Sequence, residues 1–196
     1  SDGSRKIQLR LDLGVFQMEP TGRPDGVRPR GFESLREFYL NEETYAPGNT
    51  LPYGLDANAC AELQQEVTQY YYRLMAYHAL GDWAGMAADS DHNLDLVDFV
   101  AEYAEDDEIA WQFSQLYPYM RMMNARARAE ISMAENQFDE AEQIVREALI
   151  DVESFYFENF EPLNEDGSPT ATPAEVESLR ELLGQVNQRR PRTQAD

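Results

Sequence analysis

Few side chains in this sequence have the chemistry of a reactive centre, and their spacing limits what they could do. Cys60 is the single cysteine, and His78 and His92 are the two histidines. A cysteine nucleophile needs a base within hydrogen-bond reach. Cys60 and His78 fall on one predicted helix, about 27 Å apart at the α-helical rise per residue, so they form no dyad. Asp56 and Glu62 beside Cys60 disfavour its thiolate. Asp89-Ser90-Asp91-His92-Asn93-Leu94-Asp95 sets oxygen ligands at alternate positions, like the start of a calcium loop. Leu94 stands where that loop needs Gly for its sharp turn, and Val100 where it needs a bidentate Glu. The stretch also lies within a helical pattern, so it reads as a solvated helix face. His78 shares an apolar stripe with Tyr70, Tyr71 and Tyr77 and reads as a core histidine. Two separated histidines make a poor transition-metal site. The acids Glu102, Glu105, Asp106, Asp107 and Glu108 read as charge favouring the N-terminus of the next helix. There is no glycine-rich phosphate loop, nucleophile elbow or zinc-ligand spacing. The expectation is a chain that is not an enzyme and takes no cofactor or metal. A metal- or small-molecule-dependent enzyme around His78 and the acids is the weakest alternative.

Bulk composition supports a folded chain. Hydrophobic residues make up 42% and aromatics 11%, which excludes the composition of a disordered segment. The net charge of −21 is uneven: residues 37–170 hold 28 acids against 5 bases, while residues 1–36 hold 7 bases against 5 acids. An acidic body repels phosphates and anionic membrane surfaces, which argues against direct nucleic-acid binding. No apolar run approaches the ~20 residues of a membrane span. One cysteine allows no internal disulfide, which fits a cytoplasmic location. The start at Ser1-Asp2-Gly3-Ser4 lacks an initiator Met and a signal-peptide pattern, so the chain reads as a piece of a longer protein.

The elements follow from periodicity. Ile7, Leu9, Leu11, Leu13 and Val15 alternate with Gln8, Arg10, Asp12 and Gly14, the pattern of a half-buried strand. Such a strand needs a neighbour. It could come from upstream through a turn at Asp2-Gly3-Ser4, from folding back near Gly14, or from a second copy in a homodimer. Residues 20–31 are dense in Gly and Pro and carry Arg23, Arg28 and Arg30 in a loop. A short helix is expected over about Glu33 to Tyr39, then a loop over 46–55. From the N-cap Asp56, an apolar face runs through Leu63, Val67, Tyr70, Tyr71, Leu74, Tyr77 and His78 to Gly81. A second helix is predicted over 83–104. A third runs from Ile109 to Ala134, with Pro118 expected to kink or split it at Tyr117. A fourth covers 138–158. Thr172-Pro173-Ala174-Glu175 reads as a capping box opening a last helix to about Asn187, followed by an unpatterned Arg-rich tail.

Tyr77-His78-Ala79-Leu80-Gly81-Asp82-Trp83-Ala84 and Met133-Ala134-Glu135-Asn136-Gln137-Phe138-Asp139-Glu140-Ala141 each place a turn residue between two amphipathic helices and an aromatic just beyond it. These segments resemble tetratricopeptide hairpins, which repeat every ~34 residues. Gly81 and Asn136 lie 55 apart, so the helices are longer than in that repeat or stack irregularly. An ordinary helix bundle carries equal weight.

Trp111, Tyr117, Tyr119, Met122, Tyr156, Phe157 and Phe160 exceed what one core stripe requires. Such aromatic and Met side chains would suit a peptide or partner helix. They would otherwise bury against the N-terminal strand and first short helix. Arg121, Arg126 and Arg128 cluster on the third helix. Trp111, Tyr119, Met122, Arg121, Tyr156 and Phe160 are the candidate partner-binding residues.

Ile7-Gln8-Leu9-Arg10-Leu11-Asp12-Leu13-Gly14, Gln17-Met18-Glu19, Gly22-Arg23-Pro24-Asp25-Gly26 and Gly31-Phe32-Glu33-Ser34 resemble uncharacterised bacterial proteins that carry a UvrB/UvrC motif. The resemblance covers about residues 5–40. It implies a β-rich start, a tetratricopeptide-like middle and a C-terminal helical-hairpin motif, which would begin near where this chain stops after Arg189-Arg190-Pro191-Arg192. It carries over no catalytic residues.

The expected fold is therefore mainly α. Tetratricopeptide-like helical hairpins form an irregular α-α bundle, with a short N-terminal β-strand or hairpin. The expected parts are residues 1–31 as strand and Arg/Pro/Gly loop, 32–160 as helical domain, 161–188 as linker and C-terminal helix, and 189–196 as flexible tail. The expected role is a non-enzymatic protein-interaction domain for a protein or peptide partner. The alternative is a structural or dimerisation module presenting a flanking domain.

Overall fold

The computed structural model describes residues 5–45, 53–160 and 170–191. The chain packs as two compact units, Ser1–Leu116 and Tyr117–Asp196, the division falling inside the stretch 32–160. The fold is mainly helical, with a two-stranded antiparallel sheet at the N-terminus.

In the first unit, the alternating segment is two strands. β1 (Ile7–Leu11) pairs with β2 (Gly14–Met18) across a two-residue turn at Asp12-Leu13. Folding back near Gly14 is thus the arrangement adopted, while the Asp2-Gly3-Ser4 turn lies outside the described residues. The reversal places Ile7, Leu9 and Leu11 on the same face as Met18, Phe16 and Gly14. Ile7 and Met18 are buried, and Phe16 meets Tyr72 edge-on at 4.8 Å. Leu13, which continues the alternation in sequence, sits at the turn and is fully exposed at 102%.

Helix α1 (Leu35–Tyr45) extends past the expected Tyr39. Its first turn is capped by Ser34, whose Oγ accepts from Glu37 N at 3.0 Å. Helix α2 (Ala57–Leu80) begins at Asp56, which accepts from Ala59 N, and ends at Gly81 with φ 68°. Helix α3 (Trp83–Tyr103) is capped by Asp82 accepting from Gly85 N. The α2–α3 approach is close at Gly85, where a Cβ would come within 2.7 Å of the Tyr77 ring. The acidic run behaves as expected: Asp106 accepts from the N–H groups of Glu108 and Ile109 and opens α4 (Asp107–Ser114). Leu55, Leu63, Leu96, Val100 and Phe113 form the apolar core here.

A polar seam runs between α2 and α3. Arg73 donates from Nε and Nη2 to the Asp89 carboxylate at 2.8 and 2.6 Å. Its Nη1 donates to the carbonyls of Glu19 (3.0 Å) and Gly22 (2.7 Å), and the Tyr77 hydroxyl donates to the Pro20 carbonyl. Glu66 is fully buried and accepts from the N–H groups of Leu35 and Arg36, capping α1 from a different helix. His92 stacks on Tyr70 at 3.7 Å and sits 3.2 Å from Glu66. Arg30, at a left-handed φ of 51°, makes a bidentate pair with Glu62 and lies 4.4 Å over the Phe38 ring. The Arg/Pro/Gly loop is thereby fastened to α2 through Arg30 on one side and Arg73 on the other. Asp89, Ser90 and Asn93 are buried, so Asp89–Asp95 is not the solvated face its polarity implies.

The second unit is a helical hairpin with a third helix. Pro118 splits the long stripe, leaving residues 115–116 between α4 and α5 (Tyr117–Ala134). Asn136, at φ 62°, takes the same left-handed position as Gly81. In both turns the next N–H bonds five residues back: Gln137 N to Ser132 O at 2.8 Å and Asp82 N to Tyr77 O at 3.0 Å. Helix α6 (Phe138–Asn159) buries Ala141, Val145, Ala148 and Val152. Helix α7 (Ala174–Arg189) follows Pro173, which makes no side-chain cap bond, so the Thr172 capping box does not form. Arg189 pairs with Glu130 and Arg190 with Asp139 and Glu142. These two residues of the expected flexible tail are anchored, and 192–196 lie outside the described residues.

Burial alone would raise the Glu66 carboxyl, but its contacts with His92 and the Leu35 and Arg36 N–H groups hold it below its ordinary value of 4.5. A depressed native pKa contributes stability above the ordinary value, which is lost as pH falls below it. Urea unfolding followed by circular dichroism should therefore show stability declining below pH 4.5. Glu66→Gln should lose that part of the slope and be less stable at pH 7. Identical slopes in both proteins would show that Glu66 does not carry its charge in the fold.

Candidate functional site

The strongest candidate surface lies in the second unit, where α6 ends. Its core stripe stops at Val152, and Phe155, Tyr156, Phe157 and Phe160 follow in quick succession. One helix face cannot bury residues at adjacent positions, because successive side chains are ~100° apart. Phe155 and Tyr156 are half-buried, whereas Phe157 is 81% exposed and Phe160 48%. The Phe155, Tyr156 and Phe160 rings form a cluster with centroids 5.5–6.4 Å apart, and Tyr117 reaches Phe155 at 5.9 Å. The Tyr156 hydroxyl donates to Glu175 Oε2 at 3.0 Å, tying the corner to the first turn of α7. Burial and the Glu175 carboxylate push that phenol up to about 12, so it remains a neutral donor at physiological pH. Between these elements lies a cavity of about 520 Å³, walled by Tyr156, Phe157 and Phe160 on one side and Ala171, Pro173 and Ala174 on the other. Its described lining has aromatic faces with the Glu175 carboxylate and the Thr170 hydroxyl beside them, which equips it for packing an apolar segment.

The structure gathers some of the predicted residues and separates others. Tyr156 and Phe160 both line the cavity. Arg121 donates to Asp151 at 2.8 Å and bridges α5 to α6. Met122, adjacent in sequence, turns inward and is buried, while Tyr119 is half-buried on α5. Trp111 is half-buried on α4, in the first unit. Phe157, the most exposed of the aromatic residues at this corner, is the strongest addition to the six.

The groups weighed for chemistry are occupied structurally. Both Asp89 oxygens accept from Arg73. The Cys60 thiol is buried and pushed up, first by burial and then by Asp56, Asp106 and Glu105. His78 lies edge-on to Trp83 at 5.9 Å. Among the described residues, no three His, Cys, Asp or Glu side chains converge as a metal site. Sequence reasoning missed Glu66 and Arg73 as a pair of buried charges. Both fall at the i+3 or i−4 positions of the stripe Leu63, Val67, Tyr70, Leu74 and Tyr77, a spacing that marks them as inward-facing.

Comparison of the chain with protein-family models, curated proteins and solved structures returns no match.

The corner and the core of the second unit should respond differently to substitution. Met122→Ala removes a buried side chain and should cost about 2–4 kcal/mol. Phe157→Ser, at an exposed position, should change stability by less than about 0.5 kcal/mol. Urea midpoints with unchanged m-values decide this, and a large loss for Phe157→Ser would place its ring in the core.

Proposed function

We propose that this chain is a non-enzymatic protein-interaction domain with tetratricopeptide-like helical hairpins, acting in the bacterial cytoplasm and belonging to a UvrB/UvrC-motif-type protein. The observation that carries the reading is the aromatic corner: Phe157 and Phe160 stand exposed beside a cavity of about 520 Å³. Exposed aromatic side chains around a concavity are the usual anchors of protein interfaces. A protein or peptide partner would insert an apolar side chain against Phe160 and Pro173. Glu175, held by Tyr156, would orient a donor beside it. The acidic body disfavours nucleic acid as the ligand, because 37 acids face 16 bases in the chain.

The test is an affinity capture from bacterial lysate, with Phe157→Ser/Phe160→Ser as control and titration of the captured protein afterwards. Support would be a polypeptide bound by the native chain, with affinity reduced at least tenfold in the double variant. Equal capture by both proteins, or none by either, would remove the corner as a binding site.

A further inference from the structure

The N-terminal hairpin presents a second, independent surface in the other unit. Its sheet has two strands among the described residues, so β2 is an edge. The register pairs Leu11 with Gly14, Leu9 with Phe16 and Ile7 with Met18 across a two-residue turn. In such a hairpin, the residues flanking the turn and every second one beyond direct their N–H and C=O groups inward, toward the partner strand. The backbone groups of Val15 and Gln17 therefore point outward from β2. Along that edge lies a groove of about 530 Å³, to which four consecutive β2 residues, Val15–Met18, contribute. No β1 residue lines it, so the groove follows the outer edge of β2. Thr68, Gln69 and Tyr72 of α2 form part of the opposite wall.

We infer that the groove between β2 and α2 binds an extended, uncharged segment of a partner polypeptide, which adds to the hairpin as a third strand. Three features select that ligand. Outward N–H and C=O groups at alternate residues match an extended backbone and nothing else so well. The lining charges Arg23 and Asp25 are 3.3 Å apart and neutralise each other, so the groove asks for no charge despite the acidity of the chain. Its floor is apolar, with Phe16 edge-on to Tyr72 at 4.8 Å, and the rim side chains Thr68 and Gln69 are already bonded to Gln64 O, Asp25 and Arg23, which leaves backbone pairing as the polar contact offered. The groove is already built, because Arg23 also lies 3.7 Å from buried Glu66 and the loop that forms one end is fastened by Arg73. Val15 at 54% exposure leaves the edge open to approach.

The test uses the whole chain, ¹⁵N-labelled, titrated with the capped peptide acetyl-Thr-Val-Thr-Val-Thr-amide. The expected result is saturable shifts centred on the Val15 and Gln17 amides, with their hydrogen exchange slowed. A peptide N-methylated at alternate residues, which cannot pair with the edge, should bind at least tenfold more weakly. Thr68→Arg narrows the groove from the α2 side without touching the hairpin and should weaken binding by a similar factor. Gln17→Pro removes one outward N–H and should do the same, its fold checked by unchanged shifts in α2 to α4. Equal binding of the N-methylated peptide, or shifts elsewhere in the chain, would overturn the inference. So would protection of Val15 and Gln17 in the free protein that rises with its concentration, because a second copy would then own the edge. Failure at the aromatic corner of α6 leaves these outcomes unaffected, since the two sites lie in different units.

Discussion

Arg73 ties three parts of the first unit together: α2, α3 and the segment after β2. A guanidinium taken out of water is tolerated only when its donors are answered, and those of Arg73 are answered from two directions. Asp89 accepts two of them from α3, which sets the rotation of α3 against α2. The two Nη1 donors reach carbonyls of Glu19 and Gly22, which sets where the chain leaves β2. The Tyr70 and Tyr77 rings lie 5.0 and 5.8 Å from the guanidinium and close the site from the apolar side. Burial works against the charge, and the Asp89 carboxylate more than offsets it, so Arg73 is held protonated. The geometry matters more than the net energy, because a buried pair stabilises little over an apolar replacement. Hydrophobic contacts alone would let the hairpin slide on α2. Directional bonds to two specified carbonyls do not.

Helix positions were largely legible in the sequence, because helical spacing and terminal chemistry act locally. Asp56, Gly81 and Asn136 announce their helix ends by side-chain type, and each takes the expected role. The hairpin was harder to place. Its alternation runs unbroken through Leu13, and Asp12-Leu13 lacks the glycine or asparagine that marks a tight hairpin turn. A period of two cannot show where a strand reverses, since the pattern is the same on either side. The end of α1 and the missing cap at Thr172 are failures of the same local kind: residue type permits a boundary without requiring it.

The polar seam was misread for a different reason. Glu66, Arg73, Asp89 and Asn93 are polar, and a reading by residue type sends them outward. Their positions send them inward, because each falls on the spacing of an apolar stripe. Where type and position conflict, position decides if partners exist to answer the buried charges. The partners here come from α1, α3 and the loop after β2, with Val67 O of α2 accepting from Asn93. No window along the sequence contains them together.

The second unit packs through a stripe of small and medium side chains on α6, Ala141, Val145, Ala148 and Val152, against Met120, Met123, Ala125, Ala129 and Met133 of α5, all buried. That stripe ends at Val152, and Phe155, Tyr156, Phe157 and Phe160 stand past its end. Helix α7 joins the pair through Val176, Leu179, Leu182 and Val186, all buried, with Arg180, Arg189 and Arg190 reaching acids on α5 and α6 at its margins. Exposed ion pairs add little energy each. Their role here is register: three arginines set along one helix meet acids only when α7 lies at one height against α6. That same height brings Glu175 to the Tyr156 hydroxyl and Pro173 to the wall of the cavity. The corner is therefore set by the helix packing below it, with Phe157 as its most exposed ring.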